Sequence, residues 1–190
     1  MTRAVFLDRD GVLTALVYYP DTGEYESART PADLTILPNT LSALQRLRDQ
    51  GWALFLVSNQ PSYAKGKTSL DNLHAVHARF EEALQRVGVV LHASYYCYHH
   101  PRGIVPSHTM TCECRKPGIA SLLRAQQEFG LDLAQSWFVG DQDIDIQCGQ
   151  RGGCQTIQLD YSLSADKRGA SQPDWRCRDL DHAVELLCGG

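Results

Sequence analysis

Two acids one residue apart, Asp8 and Asp10, close the apolar run Val5-Phe6-Leu7, and Gly11 follows them. Side chains at i and i+2 of an extended chain point the same way, so the two carboxylates are expected to project together from the end of a strand. Carboxylates held side by side repel, and need a cation or a proton between them. Three further polar clusters stand later in the chain: Ser58-Asn59, Arg115-Lys116, and Asp141-x-Asp143-x-Asp145. Convergent carboxylates with no histidine beside them suit a hard cation such as Mg2+, bound through oxygen. A lysine and a hydroxyl beside such a cation suit a phosphoryl group. The Asp141 run also resembles the start of an EF-hand loop. Ile146 stands where that loop requires glycine, however, and Gly152 where it requires a bidentate acid.

A second constellation is Cys97-x-His99, twelve residues, then Cys112-x-Cys114. Three thiolates and an imidazole form a closed tetrahedral Zn2+ set, which makes the role structural. His100 and His108 compete with His99 for the fourth position. Zinc here would fix Arg115 and Lys116, which directly follow the last ligand.

The elements that must hold these groups read as alternating strands and helices. Val5–Leu7 and Ala53–Val57 are short, continuously apolar runs, as expected of strands buried on both faces. Further strands are predicted near 93–96, 136–139 and 156–159, with an edge strand at 175–177. Helices are predicted from Pro38 to Gly51, with Leu41, Leu44 and Leu47 on one face, and from Leu70 to Arg86, with Leu73, Val76, Phe80, Ala83 and Leu84. Others cover 119–129, 146–150 and 180–187. Residues 14–35 read as a loop broken by Pro20, Asp21, Gly23 and Pro31, and 161–173 as a polar loop. Such alternation gives an α/β fold: a parallel sheet with helices on both faces. Ligands then bind beyond the carboxyl ends of the strands, where three of the polar clusters fall. No gap between clusters would hold a large cap domain. Residues 1–190 are read as one domain with an open site.

The net charge of −4 and a pI near 5.9 argue against a general nucleic-acid binder. No apolar stretch would span a membrane, and no signal peptide fits ahead of the first strand. A cytoplasmic monomer is expected, in which a local basic cluster could still bind a small phosphorylated ligand. Seven cysteines without an export signal favour thiols or metal ligands over disulfides. Cys148, Cys154, Cys177 and Cys188 read as small buried hydrophobes.

In chain order, Asp8-Arg9-Asp10-Gly11-Val12, Ser58-Asn59-Gln60, Lys116, and Gly140-Asp141 with Asp145 beyond resemble the haloacid dehalogenase (HAD) superfamily of phosphatases. The resemblance implies a Rossmann-like HAD fold and an aspartyl-phosphate mechanism. On it, Asp8 is the nucleophile and Asp10 the general acid and base. Asp8, the Asp10 carbonyl and Asp141 hold Mg2+. Ser58 and the Asn59 backbone bind the phosphoryl group, Lys116 offsets charge on Asp8 and the phosphate, and Asp145 braces the site. Asp143 is a weaker candidate.

Cys97-x-His99-His100-Pro101 and Cys112-x-Cys114-Arg115-Lys116-Pro117 resemble the zinc loop of one HAD branch. That branch holds the D-glycero-D-manno-heptose 1,7-bisphosphate phosphatases and the histidinol-phosphate phosphatases. The resemblance favours His99 as the fourth ligand. Ala64-Lys65-Gly66 after Asn59-Gln60, and Tyr95-Tyr96-Cys97, look more like the heptose enzymes. The expected reaction is removal of the 7-phosphate from a sugar bisphosphate, with Lys65 and Arg115 binding the second phosphate. Histidinol phosphate is the alternative substrate. A catalytically weak, zinc-stabilised binder of a phosphorylated ligand is the alternative of another class. The chain departs from the heptose pattern at three points. Lys65 replaces an arginine, Gly118-Ile119-Ala120-Ser121 replaces a Pro-Gly-Met stretch, and Gln142 replaces a lysine.

Overall fold

A computed structural model of the chain describes residues 2–189. Six parallel strands form the central sheet: β1 (Ala4–Leu7), β4 (Ala53–Asn59), β5 (Ala93–Cys97), β6 (Trp137–Gly140), β7 (Gln155–Leu159) and β8 (Trp175–Cys177). Their spatial order is β5-β4-β1-β6-β7-β8. Alternate side chains of the central strands feed opposite cores, as the two-residue repeat requires. Val5, Leu7, Leu54, Leu56 and Val139 pack with Leu44 and Leu47 of α1 (Thr40–Asp49), Val76 and Phe80 of α2 (Leu70–Arg86), and Ala183 and Val184 of α5 (Leu180–Cys188). Phe6, Phe55, Val57 and Phe138 pack with Leu122 and Ala125 of α3 (Ala120–Phe129) and Cys148 of α4 (Asp143–Gly152). Phe6 stacks on Phe55 at 5.2 Å and on Phe138 at 6.3 Å. Each such buried ring contributes about 1.5–3 kcal/mol. The helices therefore cover both faces, and the carboxyl ends of β4, β1 and β6 lie side by side.

The helix periodicities hold closely, and α2 has the predicted bounds. Two segments differ. Residues 14–35 are ordered rather than loop: β2 (Val17–Tyr19) and β3 (Glu24–Glu26) form an antiparallel hairpin, followed by a 3-10 turn at Pro31–Asp33. Three-residue strands carry too little alternation to be read, and distant contacts hold them. Arg29 pairs with Asp21 at 2.7 Å and Glu26 at 3.0 Å, and lies 3.8 Å over the Tyr19 ring. Lys67 pairs with Glu26 from the far side. Helix α4 begins one turn earlier than 146, because Asp145 caps it by accepting from the Gln142 backbone N–H at 3.0 Å. Of the isolated cysteines, Cys148, Cys154 and Cys177 are buried and Cys188 is half-buried. No helix among the described residues is long and apolar enough to cross a membrane.

Candidate active site and metal centre

Adjacent strand ends deliver the acids to one place. The Asp8 N–H donates to the Val139 carbonyl at 3.0 Å, which ties the first turn after β1 to β6. Approach is so close that glycine is required twice. A Cβ on Gly11 (φ 89°) would lie 2.2 Å from Oδ2 of Asp141, and one on Gly140 would lie 2.1 Å from Cβ of Asp145.

Lys116 is 2% exposed, and its ammonium is surrounded by oxygens. Its Nζ donates to the Val57 carbonyl at 2.8 Å and pairs with Asp8 Oδ1 at 2.8 Å and Asp145 Oδ1 at 2.7 Å. The Asn59 amide clasps the Lys116 backbone: Oδ1 accepts from its N–H at 3.0 Å and Nδ2 donates to its carbonyl at 3.2 Å. Asn59 thereby fixes the lysine to the end of β4, a contact its expected role did not include.

Carboxylate oxygens of Asp8, Asp141 and Asp145 lie within 4.8 Å of one another. One ammonium cannot balance three acids. Asp141 is fully buried, and neither of its oxygens has a hydrogen-bond partner among the described residues. Burial, with repulsion from Asp145 and Asp8, raises it well above the ordinary carboxylate range. Burial also pushes Asp8 up to about 6, against the pull of Lys116. Orphaned buried oxygens in an excess of negative charge fit a hard divalent cation.

Asp8 and Asp10 face one cavity, although the strand does not extend to them. The strand ends at Leu7 and the backbone turns, with an isolated bridge from Asp10 to Thr14, so the two-residue repeat no longer applies. Both acids line the cavity, but the Asp10 carboxylate stands apart from the acidic cluster. Its Oδ1 accepts from Arg9 Nε and Nη2, each at 3.3 Å, and from Thr14 Oγ1 at 3.1 Å. Its Oδ2 accepts from Gln60 Nε2 at 2.6 Å. Ser58 is buried, and its Oγ accepts from the same Gln60 nitrogen at 3.0 Å. Asp143 stays outside, accepting from the Ser171 N–H at 3.0 Å and from Gln147 Nε2.

Four side chains meet beside this site: Cys97, His99, Cys112 and Cys114. Their sulfurs are 3.2–3.5 Å apart, and His99 Nδ1 is 3.5 Å from Cys114 Sγ. A Zn–S bond of about 2.3 Å implies tetrahedral S···S edges of about 3.8 Å, so the set is slightly contracted and fits Zn2+. Geometry also separates the histidines. His100 Nδ1 accepts from the Arg102 N–H at 3.1 Å, and His108 Nδ1 meets Ser107 at 3.0 Å.

Asp8, Asp10 and Lys116 open into a cavity of about 260 Å3. Asn59, Lys65, Arg115 and Gln142 line it, and Glu24, Tyr25 and Glu26 of the hairpin form its lip. Glu26 is taken up by Arg29 and Lys67, so the Lys65 and Arg115 charges face the cavity. Burial and the charges of Lys67 and Arg115 hold Lys65 below the ordinary lysine range.

A D-glycero-D-manno-heptose-1,7-bisphosphate 7-phosphatase from Thermosynechococcus vestitus is 38% identical over 194 residues, covering 97% of this chain and 95% of that protein. The chain belongs to this branch of the HAD-like hydrolases. A HAD-hydrolase-like family model also matches residues 113–183. The D,D-heptose 1,7-bisphosphate phosphatase of B. bronchiseptica, crystallised with magnesium and phosphate, superposes with a TM-score of 0.83 at 27% identity over 99% of both chains. A HAD-like protein from Mesorhizobium loti gives 0.78 at 30% identity, over 98% of this chain and 87% of that one.

Two functional-site neighbours escaped the sequence reading of this HAD-like chain. Arg9 lay in plain view between two acids, and an arginine at the end of a buried strand should have signalled a buried pair. Gln60 gave no signal beyond its place after Ser58 and Asn59.

Proposed function

We propose that this chain is a Mg2+-dependent phosphatase that removes the 7-phosphate of D-glycero-D-manno-heptose 1,7-bisphosphate through an aspartyl-phosphate on Asp8. The observation that carries this reading is the buried set of Asp8, Asp141 and Asp145 around Lys116. A solvated acidic turn would leave these groups in water. The substrate follows from the named relatives and from the two cavity cations, Lys65 and Arg115.

In the first step an Asp8 oxygen bonds to phosphorus and the ester P–O bond breaks. The departing C7 oxygen takes a proton from the Asp10 carboxyl. In the second step a water oxygen bonds to the same phosphorus as Asp10, now a carboxylate, takes its proton. The bond to Asp8 breaks and inorganic phosphate leaves. Ser58 and the Asn59 backbone hold the transferring group. Lys116, fixed by Val57, Asp145 and the Asn59 clasp, offsets charge where nucleophile and phosphate would repel. Asp8, the Asp10 carbonyl and Asp141 would hold Mg2+, which would supply positive charge to the phosphoryl oxygens. Cys97, His99, Cys112 and Cys114 would hold Zn2+, which would close the loop that sets Arg115 and Lys116. Arg115 and Lys65 bind the 1-phosphate, and the planar guanidinium suits its oxygens. The proposed enzyme is a single-domain cytoplasmic monomer.

The test is phosphate release from the heptose bisphosphate and from histidinol phosphate, with Mg2+, comparing kcat/KM. The expected result is a clear preference for the bisphosphate that Asp8→Asn abolishes. A folded protein that turns over no phosphate ester would support the ligand-binding alternative.

A further inference from the structure

Arg9 is 1% exposed, and its guanidinium sits against Asp10, with Oδ2 at 3.2 Å from Nη2. Behind it lies the Tyr96 ring, 5.7 Å from the guanidinium carbon, and the Tyr96 hydroxyl meets His77 Nδ1 at 2.9 Å. His77 in turn reaches Glu81 at 3.3 Å. The arginine is thus backed from the sheet to helix α2. On the other side of Asp10 stands Gln60, with no exposed surface. Its Nε2 bridges Asp10 Oδ2 and Ser58 Oγ, while its Oε1 is buried without a partner. An amide kept only for packing would not leave one end unsatisfied, since an apolar side chain of the same size would fill the space without that cost. Local rules broken in this way mark functional sites.

We infer that Gln60 and Arg9 are positioning residues for proton transfer. They hold the Asp10 carboxyl in the one orientation from which it protonates the leaving oxygen, and Gln60 ties that orientation to Ser58 on the phosphoryl side. This rests on the reading of Asp10 as acid and base given above.

Leaving groups of different acidity test it. A sugar alkoxide cannot depart without a proton, whereas p-nitrophenolate can. The ratio kcat/KM covers the steps through transfer to Asp8. Gln60→Met conserves volume and removes the bridge. It should cost roughly tenfold or more in kcat/KM on the heptose bisphosphate and less than about twofold on p-nitrophenyl phosphate. Arg9→Lys keeps the charge but loses the fork and should show the same selectivity, so the test survives if one variant does not fold. Equal losses on both esters in the folded variants, or no loss, would overturn the inference. Asp10→Asn separates the two claims. If it too lacks selectivity, the acid role of Asp10 fails. If it is selective and Gln60→Met and Arg9→Lys are not, only the positioning role fails.

Discussion

Lys116 Nζ lies 2.8 Å from Asp8 Oδ1, so the first acid after β1 is paired with a lysine brought from beyond the Cys/His loop. The contact is sealed, with the lysine 2% exposed, its ammonium hydrogen-bonded to the Val57 carbonyl and paired with Asp145. A charge so fixed needs no reorganisation when negative charge gathers on the phosphoryl group.

Replacing that lysine should therefore act on rate more than on binding. Lys116→Met is expected to lower kcat by roughly 10²–10³-fold, with a smaller change in KM. Steady-state kinetics on the heptose bisphosphate, beside circular dichroism to confirm folding, would check this. A folded variant with near-normal kcat would remove Lys116 from the chemistry.

Metal and pH should be coupled. Without Mg2+, Asp8 sits at about 6 instead of its ordinary 3.8, and Asp141 is also raised, in both cases chiefly by burial. For an acid raised in the fold, the stabilising contribution is complete below the unfolded pKa and is lost as pH rises through the folded one. The metal-free chain should thus lose stability from these groups between about pH 4 and 7. Mg2+ should restore it, because the ionised acids are its ligands. The rise in Tm on adding Mg2+ is expected to be large at pH 7 and to shrink toward pH 5. A shift that does not vary with pH would place the ion elsewhere.

Zinc should matter through position. Metal analysis is expected to give about one Zn per chain, from four ligands in one closed set. Stripping it with a strong chelator and resupplying Mg2+ alone should leave kcat low, because Arg115 and Lys116 follow Cys114 directly. Full activity in a zinc-free protein would reject the structural role.

The second-phosphate site can be isolated by comparing substrates. Arg115→Ala should raise KM for the bisphosphate by roughly tenfold, the loss of one charge-assisted contact. KM for a monophosphate ester should barely move. Equal effects on both would instead place Arg115 at the transferring phosphate.

Much of the fold was legible because buried central strands are written as apolar runs. Val5–Leu7 and Ala53–Val57 could lie nowhere but the middle of a sheet, and the acids after them fell where ligands bind. Paired Cys spacing pointed to a metal in the same way. What stayed hidden depends on distant approach. The hairpin at 17–26 rests on Arg29 and Lys67 closing on Glu26, and no local pattern announces that. That Asp145, and not Asp10, joins Asp8 and Asp141 in the close acidic set was hidden too, because the strand ends at Leu7 and its two-residue rule stops there. Gln60 acquires its contacts only because β4 ends beside β1.

The covalent intermediate is the center of this account, and trapping it is the most direct test. Enzyme mixed with substrate and Mg2+ would be quenched in acid within one turnover, reduced with borohydride, digested and weighed by mass spectrometry. Reduction of an aspartyl-phosphate should convert Asp8, and no other acid, to homoserine. Substrate consumed at the normal rate with Asp8 unchanged, or the label on another residue, would contradict the account.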